Sequence, residues 1–323
     1  MLDAMTSSAP GKLILTGEYA VLDGAPALVV AVDRRAVARF GTGAPRGSSA
    51  FLLAVATELS ARRGADDPAA RAAFEIAVDS SSFYDGLMKL GLGSSAAVTV
   101  AATALALSAT SSAPTVDRGE VLAIASAAHA AAQGERGARG SGADIAAAVH
   151  GGTIAFTSGR VDRRRWPASV RLIPFFTGAS ADTASLVQRV QAARTERATE
   201  VDAALTAIGD ASRAACTAVA APADLAATAV IGAIALAAAA FDRLAVATRV
   251  DLVPDCVRAA RSAMGSFGGT AKTTGAGGGD IGIAVIPATA DVSAATRALI
   301  EAGCRPLQLT VDETGVDLRP DAS

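Results

Sequence analysis

The sequence predicts an α+β fold of two layered domains, and three observations lead to it. The chain has 323 residues, more than one hydrophobic core usually organises. Runs with strand alternation and runs with helical periodicity are mixed in both halves, which is the pattern of sheets covered by helices. Between the halves lies a polar stretch, Ser158–Pro167, so the domains are expected over 1–165 and 166–323.

Residues 9–40 alternate turns with apolar runs. Lys12–Thr16, Ala27–Val32 and Ala36–Phe40 read as short strands, with Asp23-Gly24 as the tight turn between the first two. Lys12 follows Pro10-Gly11, read as another turn. Gly41–Ser49 is a loop, Phe51–Arg63 a helix and Phe74–Asp79 a strand. The loop Gly91–Ser95 feeds a helix over Ala96–Ser108, and a second helix, Arg118–Gln133, stops at Gly134. After the loop Gly137–Gly142 come a helix, Ala143–His150, and a strand, Thr153–Thr157.

The second half opens on a strand over Val170–Phe175. Helices follow over Thr183–Ala207, Ala211–Ala221, Leu225–Thr248 and Pro254–Phe267. A glycine-dense loop, Gly275–Gly279, precedes the strand Ile281–Ile286, and a helix over Ala294–Ala302 and a strand over Pro306–Val311 finish the chain.

Composition excludes several functions. Lys plus Arg (29) nearly balances Asp plus Glu (31), so no basic field draws nucleic acid. One Trp and two Tyr make a poor base-stacking platform. Two His and three Cys without a CxxC pair leave almost no ligands for zinc. Cys216, Cys256 and Cys304 read as buried free thiols of a reducing compartment. With no secretory pattern near Ser7, Ser8 and Pro10, a cytoplasmic location is expected. Leu225–Phe241 carries no charge but falls short of the ~20 residues of a span, so a buried helix is expected and no membrane partner.

Chemistry is concentrated in three loops. In the run Gly91-Leu92-Gly93-Ser94-Ser95-Ala96-Ala97, glycines let backbone approach a ligand, and the first helical turn offers unpaired N–H groups. The helix dipole favours an anion there, so phosphate is the natural guest. It is not a Walker A loop, because no Gly-Lys-Ser/Thr follows the spaced glycine; a plain N-cap would also explain it. The run Lys272-Thr273-Thr274-Gly275-Ala276-Gly277-Gly278-Gly279-Asp280 is too rich in glycine for an ordinary turn. It is read as a place where a ligand or another backbone comes close. The third segment is Pro10-Gly11-Lys12 with Gly17-Glu18-Tyr19, where Lys12 is a phosphate-facing cation or simple surface charge.

Taken together, these segments resemble the three signature motifs of the GHMP kinases, in the family's order. The resemblance spans roughly residues 8–286 and implies a two-domain fold: a ribosomal protein S5 domain 2-like N-terminal domain and a ferredoxin-like C-terminal domain, with ATP between them. Within the family, the phosphomevalonate kinase branch is the nearest in pattern. Asp280 closes the third motif, Gly140–Val149 resembles that branch's GSGxDVAAAV segment, and Phe176–Thr183 resembles its aromatic-TGxxAxT loop. Asp79–Tyr84 and Lys89–Gly91 match the approach to the phosphate loop. The segment Glu135–Arg139 is longer than the family's spacing there, so the magnesium-binding glutamate of mevalonate kinases is not carried onto Glu135.

The resemblance implies roles. Gly91, Leu92, Gly93, Ser94, Ser95 and Ala96 would hold the ATP phosphates, with Ser95 and Asp144 near Mg2+. Lys12, Asp144 and Ser95 would be catalytic. The phosphorylated small-molecule acceptor would meet Lys12, Glu18, Tyr19, Lys89, Arg139, Ser141, Gly142, Lys272, Gly275, Ala276 and Gly277. A phosphate acceptor is already largely ionised at neutral pH, its second pKa being about 6. Cations (Lys12, Lys89, Arg139, Lys272) should then matter more than a base, and Asp144 is read as an orienting residue. A mevalonate hydroxyl as acceptor is the alternative, and it would need the base. His129 and His150 read as packing or surface residues. A non-catalytic ligand sensor is the remaining reading, opposed by the presence of Lys12, Ser94, Ser95 and Asp144. A monomer or homodimer is expected.

Overall fold

The computed structural model describes residues 5–41, 49–110, 115–135 and 140–320. Residues 42–48 of the first predicted loop, and Arg139, lie outside the described residues.

Two long antiparallel strands, β1 (Met5–Thr16) and β2 (Ala27–Phe40), replace the three short ones expected. Pro10-Gly11 is not a turn. The register shifts there, so the pair forms a bulge inside β1, a position where a strand tolerates a residue that donates no N–H. Gly11 has no room for a side chain, since a Cβ would lie 2.6 Å from Leu92 O and 2.7 Å from Phe83. Nor is Asp23-Gly24 a two-residue hairpin turn. The connection runs through Gly17 (φ 95°), Tyr19 (φ 59°) and a 3-10 turn over Ala20–Asp23 that ends at Gly24. It is long because Tyr19 and Ala20 are buried in the core of the second half.

Next come α1 (Ala50–Arg63) and α2 (Pro68–Ala73), the latter not anticipated. Asp67 caps α2 by accepting from Ala69 N, and Pro68 occupies its first position. A strand, β3 (Ile76–Asp79), and a small hairpin, β4 (Tyr84–Asp85) with β5 (Met88–Lys89), lead into α3 (Ser94–Ser108). Then follow α4 (Arg118–Gly134), α5 (Ala143–His150), β6 (Thr153–Thr157) and β7 (Arg160–Arg164). The Ser158–Pro167 stretch is therefore not a bare linker. Ser158 (φ 46°) and Gly159 (φ 85°) make a tight turn with both central residues left-handed, and β7 pairs back on β6.

The second half contains β8 (Val170–Phe176), α6 (Thr183–Glu196), α7 (Ala198–Ala218), α8 (Ala223–Thr248) and α9 (Asp255–Gly265). The expected break near residues 208–210 falls instead at Arg197 (φ −136°). Gly209 stays helical, and its bare Cα packs where a Cβ would meet Ala25 at 3.1 Å. Last come β9 (Thr270–Thr273), β10 (Ile281–Pro287), α10 (Val292–Glu301), β11 (Arg305–Pro306) and β12 (Asp317–Pro320). The strand expected over Pro306–Val311 is reduced to β11, and β9 and β12 were not foreseen.

One sheet has the order β12-β1-β2-β6-β7 with β3 also on β2, and the other has β11-β8-β10-β9. All pairings are antiparallel. Side chains alternate across the first sheet. Ala27 and Val29 face Ala143, Ala146 and Ala147 of α5. Leu13, Leu15, Leu28 and Val30 face the other way, into a core shared with Phe176, Ile281, Ile283, Val230 and Ile234 of the second half. Each such fully buried side chain contributes about 1.5–3 kcal/mol, so the two halves are joined through a continuous apolar core. α8 is long and apolar enough to cross a membrane, yet Ala233, Ile234, Ala237, Phe241 and Leu244 on one side of it are core residues.

The C-terminal segment returns to the first sheet. β12 pairs with β1, and Arg35 on β2 pairs with Asp312 while donating to Ser8 O (3.0 Å) and Gly315 O (2.6 Å). Arg35→Ala removes these ties and a fourth, Nε to Ser8 Oγ (3.1 Å), at a largely buried position. It is expected to cost ~2–4 kcal/mol, measurable as a lowered urea midpoint with unchanged slope.

Candidate active site

Two helices point their N-termini at one cleft. Gly93 (φ 77°) precedes α3 and Gly142 (φ 83°) precedes α5, both left-handed and neither supplying a side-chain cap. In α5, Ser141 Oγ accepts from Ala143 N at 3.2 Å. The first amides of α3 have no side-chain cap and sit at the positive end of a fifteen-residue dipole. Lys12 is sewn to this loop. Its amide donates to Leu92 O (2.8 Å), and its side chain lies where a Cβ on Gly93 would stand 3.0 Å from it. Gly93 therefore serves the backbone turn and the lysine at once.

The third motif meets the second. A Cβ on Gly91 would lie 2.6 Å from the Asp280 carboxylate. Asp280 (φ 51°) is held by the 176–183 loop: its N donates to Ala179 O (2.6 Å), its O accepts from Thr177 N (2.9 Å), and Oδ1 accepts from Ala181 N (3.2 Å). Burial raises its pKa, opposed by the Ala181 hydrogen bond, Lys89 and Lys12. The glycine density also has a local cause. A Cβ on Gly277 would meet Leu252 O at 2.4 Å, on Gly278 Leu186 at 2.9 Å, and on Gly279 Ala179 O at 2.7 Å. Gly275 (φ 64°) alone of the four faces open space among the described residues. Three glycines admit neighbouring atoms, and one leaves space free.

Lys272 corrects the sequence reading. It was expected to meet the acceptor, but it is fully buried, pairs with Glu18, donates to Thr273 O (2.6 Å), and lies 5.8 Å from the Phe241 ring centroid. Its ammonium is spent on a residue of the first half. Tyr19 likewise packs instead of reaching out: its hydroxyl donates to Ala276 O (2.8 Å) and its ring lies 6.1 Å from Phe241. Burial raises the Glu18 pKa against the pull of Lys272. Its Oε2 has no hydrogen-bond partner among the described residues.

His129 was read as packing or surface. It is buried, with Nε2 3.2 Å from Ser95 Oγ and 4.0 Å from Asp144 Oδ2. The available signal was its place on α4, among the buried positions Val121, Ile124, Ala125, Ala128 and Ala132. A histidine on an otherwise apolar face needs a polar partner.

Of the predicted residues, Lys12, Glu18, Tyr19, Gly91, Ser141, Asp144, Gly275, Ala276 and Gly277 line one cleft, joined by Gln133, Thr183 and Thr274, which sequence reading missed. Leu92 and Ala96 are core residues and offer only backbone. Ser94 is buried and Ser95 turns toward His129. Lys89 is exposed on β5, close enough to Asp280 and Lys12 to act on their charges. Burial lowers the Lys12 pKa, opposed by Asp144, Asp280 and Glu18. Among the described residues no cluster of three or more His, Cys, Asp or Glu could hold a metal alone.

The uncapped end of α3, a half-buried lysine and two interlocked glycine loops lie between two α+β halves, an arrangement suited to a phosphate. The chain belongs to the GHMP kinases. Residues 50–152 match the family of the GHMP kinases N terminal domain. The chain is 30% identical to a phosphomevalonate kinase of Streptomyces sp. (strain CL190), over 95% of this chain and 97% of that one. The fold is that of a Lin0012 protein from Listeria innocua (TM-score 0.80, 21% identity, 98% and 99% of the two chains). It is also that of Streptococcus pneumoniae phosphomevalonate kinase in complex with phosphomevalonate and AMPPNP (TM-score 0.75, 19% identity, 95% and 99%).

Lys272→Met leaves Glu18 buried and uncompensated, and is expected to destabilise by ~3–5 kcal/mol. The double change Glu18→Gln with Lys272→Met should destabilise less than the single one. Urea unfolding of the three proteins checks both statements.

Proposed function

We propose that this kinase transfers the γ-phosphoryl group of ATP to the phosphate of 5-phosphomevalonate, giving the diphosphate, as a cytoplasmic enzyme. The observation that carries the reading is the identity to a phosphomevalonate kinase across almost the whole chain. A second one supports it. Asp280 and the 176–183 loop, two of the features that set this branch apart in sequence, are one hydrogen-bonded unit at the cleft edge.

In this reading the α3 N-terminus and the Gly91–Ser95 backbone cradle the ATP phosphates. Mg2+ is bound by few protein oxygens together with phosphates, and the donors here fit that: the Ser95 hydroxyl and the Asp144 carboxylate lie within 4.0 Å of the same imidazole nitrogen. When bound, such an ion offsets phosphate charge. An acceptor phosphate oxygen forms the new bond to the γ-phosphorus while the bond to the bridging oxygen breaks, and ADP leaves. An ionised phosphate has no proton to surrender above pH ~6. The harder task is bringing two polyanions together. Lys12, supported by Lys89, lowers that repulsion, and Asp144 orients Lys12 and the donor end of the cleft.

Offering the protein ATP with phosphomevalonate or with mevalonate, and following ADP, tests the acceptor. Turnover with phosphomevalonate is expected, and turnover with mevalonate alone would replace this reading with the mevalonate kinase one. Tight ATP binding without ADP from either acceptor would point to a ligand sensor. Asp144→Asn is expected to lower kcat by less than ~10²-fold, below the usual loss of a general base. Lys12→Met is expected to lose ~10²–10³-fold. The reverse order of these two losses would rule out the orienting role.

A further inference from the structure

His129 lies outside the cleft lining, yet it touches the residue pair on which the donor end depends. It projects from the middle of α4 toward the first turns of two other helices, Ser95 on α3 and Asp144 on α5. Its ring is held from α1 by Phe51, with centroids 5.1 Å apart and planes 25° from parallel. The ring is 3% exposed, so its polar atoms depend on protein partners. A neutral imidazole has one donor and one acceptor nitrogen. At 4.0 Å, Asp144 Oδ2 is beyond hydrogen-bond range, whereas Ser95 Oγ at 3.2 Å is within it.

The direction of that hydrogen bond has a chemical consequence. If Nε2 donated, the Ser95 proton would have to point elsewhere, and one lone pair of Oγ would be occupied. If Nε2 accepts, the Ser95 proton is drawn toward α4 and both lone pairs are left for a cation. We propose that His129 is a positioning residue whose Nε2 accepts the Ser95 hydroxyl, presenting Oγ as a ligand to the nucleotide-bound divalent ion. The inference rests on the kinase reading of the site and is independent of the acceptor.

The test uses the purified full chain with Mn2+ in place of Mg2+. ADP affinity is measured calorimetrically in chelator, and Mn2+ affinity of the ADP complex by electron paramagnetic resonance. His129→Phe is expected to keep metal-free ADP binding while weakening Mn2+ binding by about 10- to 100-fold, as for lost second partners of metal ligands. His129→Gln, whose amide oxygen reaches the Nε2 position, should restore most of the loss. His129→Asn, whose amide reaches only the Nδ1 position, should not. The Gln and Asn pair keeps the test open if His129→Phe does not fold. Unchanged Mn2+ affinity in His129→Phe, or Gln and Asn variants that behave alike, would overturn the proposal. A wild-type protein that binds no Mn2+ with ADP would instead sink the kinase reading itself.

Discussion

The buried pair of Glu18 and Lys272 is the constraint on which the site's geometry depends. Each residue is at most 2% exposed, and they come from opposite halves. Two charges are held from water only if each satisfies the other, so the strand end after β1 and the strand β9 must meet in one register. Tyr19, next to Glu18, and Ala276, four residues after Lys272, repeat the constraint. With these contacts made, the third motif cannot drift from the first, and Asp280 is delivered against Gly91.

This arrangement explains why glycines crowd the cleft. Where loops must touch at such short range, between the halves at Gly91 and within the second half at Gly277 and Gly279, any Cβ lies too close. At Gly91, Gly277 and Gly279 the nearest atoms would stand 2.6, 2.4 and 2.7 Å away. The glycines of the cleft are thus explained by packing, and the end of α3 has no side-chain cap.

Much of this was legible in the sequence. The three motifs were visible as loops, and helices such as 51–63, 118–133 and 143–150 were read nearly to their ends, because local periodicity and glycine stops set them. What escaped depends on distant partners. Lys272 looked like a ligand-facing cation, since nothing near it in sequence reveals that Glu18, 254 residues away, neutralises it. His129 looked inert because Ser95 and Asp144 reach it only when three helices pack. β7 was hidden by three arginines on a five-residue edge strand, and Pro10-Gly11 looked like a turn because bulges share its residues.

The pairing of β12 with β1 bears on the order in which the molecule can be made. β1 carries Lys12 and leads to Glu18, yet among the described residues its outer edge is covered by residues 317–320, far along the chain. Until those residues are made, that edge is an unpaired strand, open to association with other chains. Glu18 likewise waits for Lys272, 254 residues further on. Assembly of the cleft is therefore governed by contacts of high sequence separation, which slow folding.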